Sequence, residues 1–150
     1  MSARTTASAV ADWLIAWSEQ MEAERSHLKI QKLLYYAQGH HLHRYGTPLF
    51  DDPMEAWAHG PVVPRIYHLL KGHGSADCDL IDPDSFDWDT YGDELNGFLV
   101  GVWEAYAPLS AWALREQTHT EAPWRDAWEQ GGNTQITTEA IKTFFDAVAA

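Results

Sequence analysis

The stretch from Ser26 to Gly46, "SHLKIQKLLYYAQGHHLHRYG", decides how the rest of the chain is read. A serine hydroxyl can accept from a backbone N–H at the start of a helix, and a glycine ends one most readily. Nothing between Ser26 and Gly46 breaks helical geometry, so a helix over residues 27–45 is predicted. Ile30, Leu33, Leu34, Ala37 and Leu42 form its apolar set, flanked by Tyr35 and Tyr36. The same stretch carries His27, His40, His41 and His43, which raises the question of chemistry against packing.

Upstream, Val10, Trp13, Leu14, Trp17 and Met21 recur at helical spacing and predict a first helix from Thr6 or Ser8 to Glu22. Downstream, "TPLFDDPMEAWAHGP" interrupts the periodicity over residues 47–61. Leu49-Phe50 and Glu55-Ala56-Trp57 read as two short strands around Asp51-Asp52-Pro53, with His59-Gly60-Pro61 as the turn leaving the hairpin. A helix follows from Val62 to Lys71, with Pro64 in its first turn and Gly72 and Gly74 closing it. Asp89 or Thr90 opens the next, ended by Pro108, and Ser110 starts a shorter one through Gln117. A stub helix lies between Pro123 and Gly131-Gly132. Thr137 caps the last, between the stapling pair Ile136 and Ile141. The expected fold is mainly α: a single compact helical domain over residues 1–150, with about five to seven helices and a small β-hairpin.

The chain has 150 residues, 45% of them hydrophobic, enough for one core and too few for two. A single cysteine, Cys78, excludes an internal disulfide and suits a reducing compartment. Neither a signal peptide nor an apolar run near the ~20 residues of a membrane span is seen, so a soluble, cytoplasmic protein is expected. The net charge of −12 is unevenly spread. Residues 72–114 hold nine acids and no Lys or Arg, six of the acids being aspartates between Ser75 and Asp89. Such a balance disfavours direct nucleic-acid binding, which needs basic surface. It would attract a basic protein partner and speed the encounter, unless the acidic run is simply a solvated face.

No residue earns a catalytic, cofactor or metal assignment. His40 and His43 lie about 60° apart on a helix, and His41 and His43 about 160° apart, whereas a catalytic zinc takes three protein ligands. His27, His59, His68, His73 and His119 could join them only through tertiary structure. Phosphate-loop and nucleophile-elbow motifs are absent. Cys78 stands among aspartates, whose field makes a poor thiolate. A metal-dependent hydrolase built on His40, His43, His59 and His119 is retained as the enzymatic alternative.

Residues 28–74 and a second block, "LSAWALREQTHTEAPWRDAW" at 109–128, together resemble the Panacea antitoxin domain, the family of SocA-like and phage-associated GepA-like proteins. The resemblance rests on Lys32 to Gly39 ("KLLYYAQG"), Leu49-Phe50, Pro53, Glu55-Ala56-Trp57, Gly60-Pro61-Val62 and Tyr67, and then on the Thr118-His119 and Pro123-Trp124 pairs. It implies an antitoxin that neutralises a cognate toxin by direct binding. In the SocA-like branch it implies a proteolytic adaptor that delivers the toxin to a ClpXP-type protease. A phage-associated protein binding a host target, with no toxin, is the neighbouring alternative. Large aromatics and histidines within the motif are the candidate partner-binding residues: Tyr35, Tyr36, Trp57, His59, Tyr67, His119 and Trp124. Each could equally specify the core.

Overall fold

A computed structural model describes residues 3–72, 77–78 and 81–149. Its seven α-helices are α1 (Ala7–Gln20), α2 (His27–Tyr45), α3 (Pro64–Leu70), α4 (Asp93–Tyr106), α5 (Ala111–His119), α6 (Ala122–Gln130) and α7 (Thr138–Ala149). Three short strands, β1 (Met54–Trp57), β2 (Gly60–Val62) and β3 (Thr134–Ile136), form an antiparallel sheet in the order β2-β1-β3. The fold is mainly α, as the sequence predicts.

α2 runs through the middle, packed by α1, α3, α4, α5, α7 and β2. Ser26 caps it at Lys29 N and Gly46 ends it at φ +75°. A helix buried on nearly every side would be expected to be apolar all round. This one is not: Lys29, Gln31, Lys32, Gln38 and His41 are buried with it. Each bonds backbone groups of a neighbouring segment, a loop for four of them and strand β2 for Lys32. Gln38 accepts from Leu49 N at 2.7 Å and donates to Phe50 O at 2.9 Å. Gln31 brackets Val63 in the same way, accepting from its N–H at 2.9 Å and donating to its carbonyl at 3.3 Å. The helix thus serves as a polar rack from which extended segments hang. Gly39 lets α7 close on it, since a Cβ there would overlap the Phe145 ring.

That rack explains one departure from the sequence reading. Leu49-Phe50 is extended but is no strand, because Gln38 and the N–H of Thr5 take the groups a β-partner would need. The true hairpin partner of β1 is β2, in register Trp57↔Gly60, so Gly60-Pro61 lies within a strand and the turn is Ala58-His59. The other edge is β3, in a segment to which the sequence reading gave no element, reached through Asn133 at φ +65° and its N–H to Ala56 O at 2.8 Å.

Met21 caps α1 at 49% exposure rather than continuing its buried stripe. The helix expected from Asp89 starts at Asp93, because Gly92 at φ +81° separates it from a 3-10 turn over Trp88–Tyr91. Of the acidic run, Ser75 and Asp79 lie outside the described residues, as do His73 and Gly74. What is described is anchored at both ends. Asp77 accepts from Arg25 N at 3.0 Å, Cys78 is fully buried, and Trp88 packs edge-on to Trp13 and Trp17. Asp82, Asp84, Asp87 and Asp89 between these anchors are exposed.

Candidate partner-binding site

The β1–β2 turn projects Ala58 and His59 into solvent above α2. Gly60 follows at φ +111°, a conformation that suits glycine. A Cβ there would come within 2.8 Å of both Lys32 Cε and Thr118 Oγ1. Its absence lets the strand lie directly on Lys32, whose Nζ donates to Pro61 O at 2.9 Å. Beside the hairpin, the rings of Trp57 and Tyr67 meet at 4.8 Å and those of Tyr67 and His27 at 5.4 Å. Together with Gln31, Lys32 and His59 they line a cavity of about 300 Å³.

α5 forms one rim. Ser110 caps it through Ala113 N, and Ala111, Leu114 and Thr118 turn inward. Trp112 and Arg115, one turn apart, lie off that buried set. The Arg115 Nε donates to His59 Nδ1 at 3.0 Å, which makes Nδ1 the acceptor and puts the neutral ring's proton on Nε2. Its guanidinium sits 4.3 Å from the Trp112 ring, which is 55% exposed. Behind the hairpin, His119 stacks on Trp124 at 3.9 Å and 2°, and Trp124 donates its indole N–H to Trp57 O at 2.8 Å. Burial, followed by the Arg115 cation, lowers the His119 pKa, and its buried Nε2 has no hydrogen-bond partner among the described residues.

Electrostatically this is an unusual corner of an acidic chain. Lys32 is fully buried, and burial, with the Arg115 cation as second cause, brings its pKa down to about 7. Glu116 pairs with Arg115 at 3.2 Å on the outer side, and Glu55 accepts the Trp57 indole N–H at 2.9 Å. Neither forms an ion pair with Lys32.

The structure divides the seven sequence candidates into three groups. Trp57, His59 and Tyr67 stand together at the cavity. His119 and Trp124 support the hairpin from behind. Tyr35 and Tyr36 are core, at 0% and 1% exposure, and their hydroxyls donate to the Glu121 carboxylate at 2.9 and 3.1 Å. Burial raises the Glu121 pKa, against the opposing effect of those hydrogen bonds. Sequence reasoning missed Trp112, Arg115 and Lys32. The spacing of Ala111, Leu114 and Thr118 could have placed Trp112 outside the packed face; nothing local signals the burial of Lys32.

The histidines of the hydrolase alternative are dispersed. His40 meets Tyr106 Oη at 2.6 Å and His43 meets Asp146 at 2.7 Å, while His59 and His119 stand at the hairpin. Among the described residues no group of three His, Cys, Asp or Glu side chains is arranged to hold a metal ion.

A buried motif helix, a Gly-Pro-Val strand laid across its lysine, and a Thr-His…Pro-Trp corner under the hairpin define a class of domain rather than an accident of packing. The Antitoxin SocA-like, Panacea domain matches residues 30–125, and the chain belongs to that family. Antitoxin SocA of Caulobacter vibrioides (strain NA1000 / CB15N) is 40% identical over 68 residues, which cover 45% of this chain and 36% of that relative. The match therefore spans little more than a third of the relative's length. No solved structure is significantly similar. No helix among the described residues is long and apolar enough to cross a membrane.

Proposed function

We propose that this chain is an antitoxin that neutralises a cognate toxin by binding it directly, through the face formed by the hairpin turn, α3 and α5. The family supports the antitoxin role. The observation that carries the face is Trp112, 55% exposed, with Arg115 against its ring and His59, Trp57 and Tyr67 beside it. Aromatic and arginine side chains supply most of the energy in protein interfaces, and here they cluster where no core demands them. The exposed aspartates 82, 84, 87 and 89 favour a basic partner by speeding its approach. The same domain takes in α1 and α7, which flank the family match and pack on α2.

Co-expression with the product of the neighbouring reading frame tests this. The intact chain rescues growth and co-purifies with the toxin, whereas Trp112→Ala loses both while keeping its circular dichroism spectrum. A Trp112→Ala chain that protects as well as the original sinks the assignment of the face. Toxin abundance then separates two modes: a level unchanged on rescue means sequestration alone, and ClpXP-dependent loss means delivery to the protease.

A further inference from the structure

α7 buries only part of its apolar surface. Ile141 and Phe145 turn into the core, whereas Phe144 is half-buried and Val148, one turn further on, is 60% exposed. Ala140 and Ala147 are exposed on the same side. The outer helix of a globular domain ordinarily turns a polar face to water, but here the stripe beside the buried pair stays apolar. Facing it, α6 contributes Ala122, Pro123 and Ala127, and the two helices bound a cleft of about 560 Å³. Side chains this short leave a furrow between two helices, which a third helix can fill by ridge-into-groove packing.

Charge distinguishes the occupants this furrow can take. It continues past β3 into a second cleft of about 430 Å³, the two sharing Gln135, Ile136, Thr137 and Glu139. Among the described residues lining this trough, Asp51, Asp52, Asp126 and Glu139 are acidic and none is Lys, Arg or His. Two of the acids are answered within the chain. Asp52 accepts from Ala7 N at 2.9 Å and pairs with Arg65 at 3.2 Å, and Asp126 has Arg125 at 3.6 Å. Asp51 and Glu139 are exposed and have no ion-pair partner among the described residues. The trough is therefore apolar where α6 faces α7 and anionic toward Asp51.

We infer that this trough is a docking site for an amphipathic helix of a basic protein partner. Its apolar residues seat between α6 and α7, and its lysines or arginines meet Asp51 and Glu139. Helix-in-groove recognition works in this way, with apolar anchors in the furrow and complementary charge fixing the register. A second copy of this chain fits poorly, because it would bring a net charge of −12 to an acidic wall. The trough shares no residue with the hairpin face and stands independently of the toxin-binding proposal. Most of its lining, from Asp126 onward, lies beyond the residues 30–125 that match the family.

The experiment uses the full chain and three synthetic peptides. The first has two Leu-Lys-Lys-Leu-Leu-Lys-Leu repeats, whose leucines share one helical face. The second has glutamate for every lysine, and the third is the first reordered so that no helical face is apolar. Binding is followed by calorimetry and by the NMR shifts of the Ala140 and Ala147 methyl groups. The first peptide is expected to bind about tenfold more tightly than either of the others. Thr143→Arg, which sets a bulky cation in the cleft from an exposed helical position, should weaken it about tenfold. Asp126→Asn with Glu139→Gln should weaken it several-fold and flatten its salt dependence, and carries the test if Thr143→Arg does not fold. Asp84→Asn with Asp87→Asn removes the same charge from exposed positions elsewhere and should leave affinity and shifts unchanged. Equal binding of the three peptides, no binding, shifts confined to other residues, or equal weakening by the two paired variants overturns the inference. So does a chain that sediments as a dimer and becomes a monomer in Thr143→Arg, which would seat a second copy in the trough. Trp112→Ala should bind the first peptide as the original chain does. Loss of binding there would move the peptide to the hairpin face and overturn the inference, whereas loss of toxin neutralisation alone leaves it standing.

Discussion

Lys29 and Lys32 sit one turn apart on the same central helix, both buried, and their surroundings could hardly differ more. Lys29 is 2% exposed and ties α2 to the corner between α4 and α5 through two carbonyls, with Glu24 as counterion. Burial lowers its pKa and Glu24 opposes that lowering. Lys32 is 0% exposed, has one carbonyl and is repelled by Arg115. The first arrangement is finished as it stands, a structural clasp. The second has fewer acceptors than its donors could use, and it lies against the half-buried rings of Trp57 and Tyr67. A buried cation is thus no single kind of object: its complement of acceptors separates a clasp from a charge left short of them.

The sharpest way to break that comparison is to remove each ammonium. Lys29→Met leaves the carbonyls of Ala107 and Leu109 without their charged donor, while Glu24 keeps Ser26 Oγ and Ala111 N. A loss of about 3 kcal/mol in urea denaturation is expected, as for leaving two carbonyls without a charged donor. Lys32→Met removes one hydrogen bond but also an uncompensated charge, so the two terms offset and the change should stay within about 1 kcal/mol. Equal losses for the two variants would mean that Lys32 is as much a clasp as Lys29, and the contrast would collapse.

A second buried polar group sharpens the point with the opposite charge. Glu121 accepts from Tyr35, Tyr36 and so joins α2 to the turn between α5 and α6, with Gln117 donating to the Tyr36 hydroxyl at 2.9 Å. Glu121→Ala leaves the buried Tyr35 hydroxyl without its acceptor and the Tyr36 hydroxyl with Gln117 alone, and is expected to cost about 2 kcal/mol, read from thermal unfolding. Glu121→Gln keeps an acceptor oxygen and relieves a carboxyl whose pKa burial already raises, so it should lose less than half as much. A glutamine variant as unstable as the alanine one would show that the charge itself holds the tyrosines.

These contrasts also mark what the sequence made legible. Ser26, Gly46 and the Thr137 cap announced α2 and α7, and the structure places those helices where the capping chemistry put them. The hairpin was legible only in half. β1 carries an alternating pattern, but its partner strand begins with Gly60-Pro61, residues that read as a turn. β3 was missed because its three residues follow two glycines and an asparagine, and only pairing with β1 makes them a strand. Of the candidates that the motif supplied, Trp57, His59 and Tyr67 lie together at the cavity, whereas Tyr35 and Tyr36 are buried in the core, the alternative the sequence left open for each. The period of α2 could not tell inside from outside, because tertiary structure buries nearly all of it and glutamines and lysines there satisfy loops instead of water.

A further expected effect is a slope rather than a loss at one pH, and it isolates Lys32. An unfolded lysine titrates near 10.4, whereas burial with Arg115 nearby brings Lys32 in the folded chain down to about 7. Between those values the unfolded chain binds more protons than the folded one, so stability must rise with pH. Below about 7 both states are protonated and the burial penalty is present in full; above 7 it is progressively relieved. From pH 7 to 9 the contribution is about 1 kcal/mol per pH unit, short of the ~1.4 limit because the folded group is only part deprotonated at the lower end. Lys29 adds to the slope in the same direction, and the buried tyrosines, raised by burial, oppose it only once the unfolded chain's tyrosines begin to ionise near 10. The readout is therefore the difference between the original chain and Lys32→Met across pH 7 to 9, in which the shared terms cancel. The variant should be flatter by that amount. Parallel curves would mean that Lys32 stays protonated when buried, with an anion held at its side in solution, and the contrast with Lys29 would be lost.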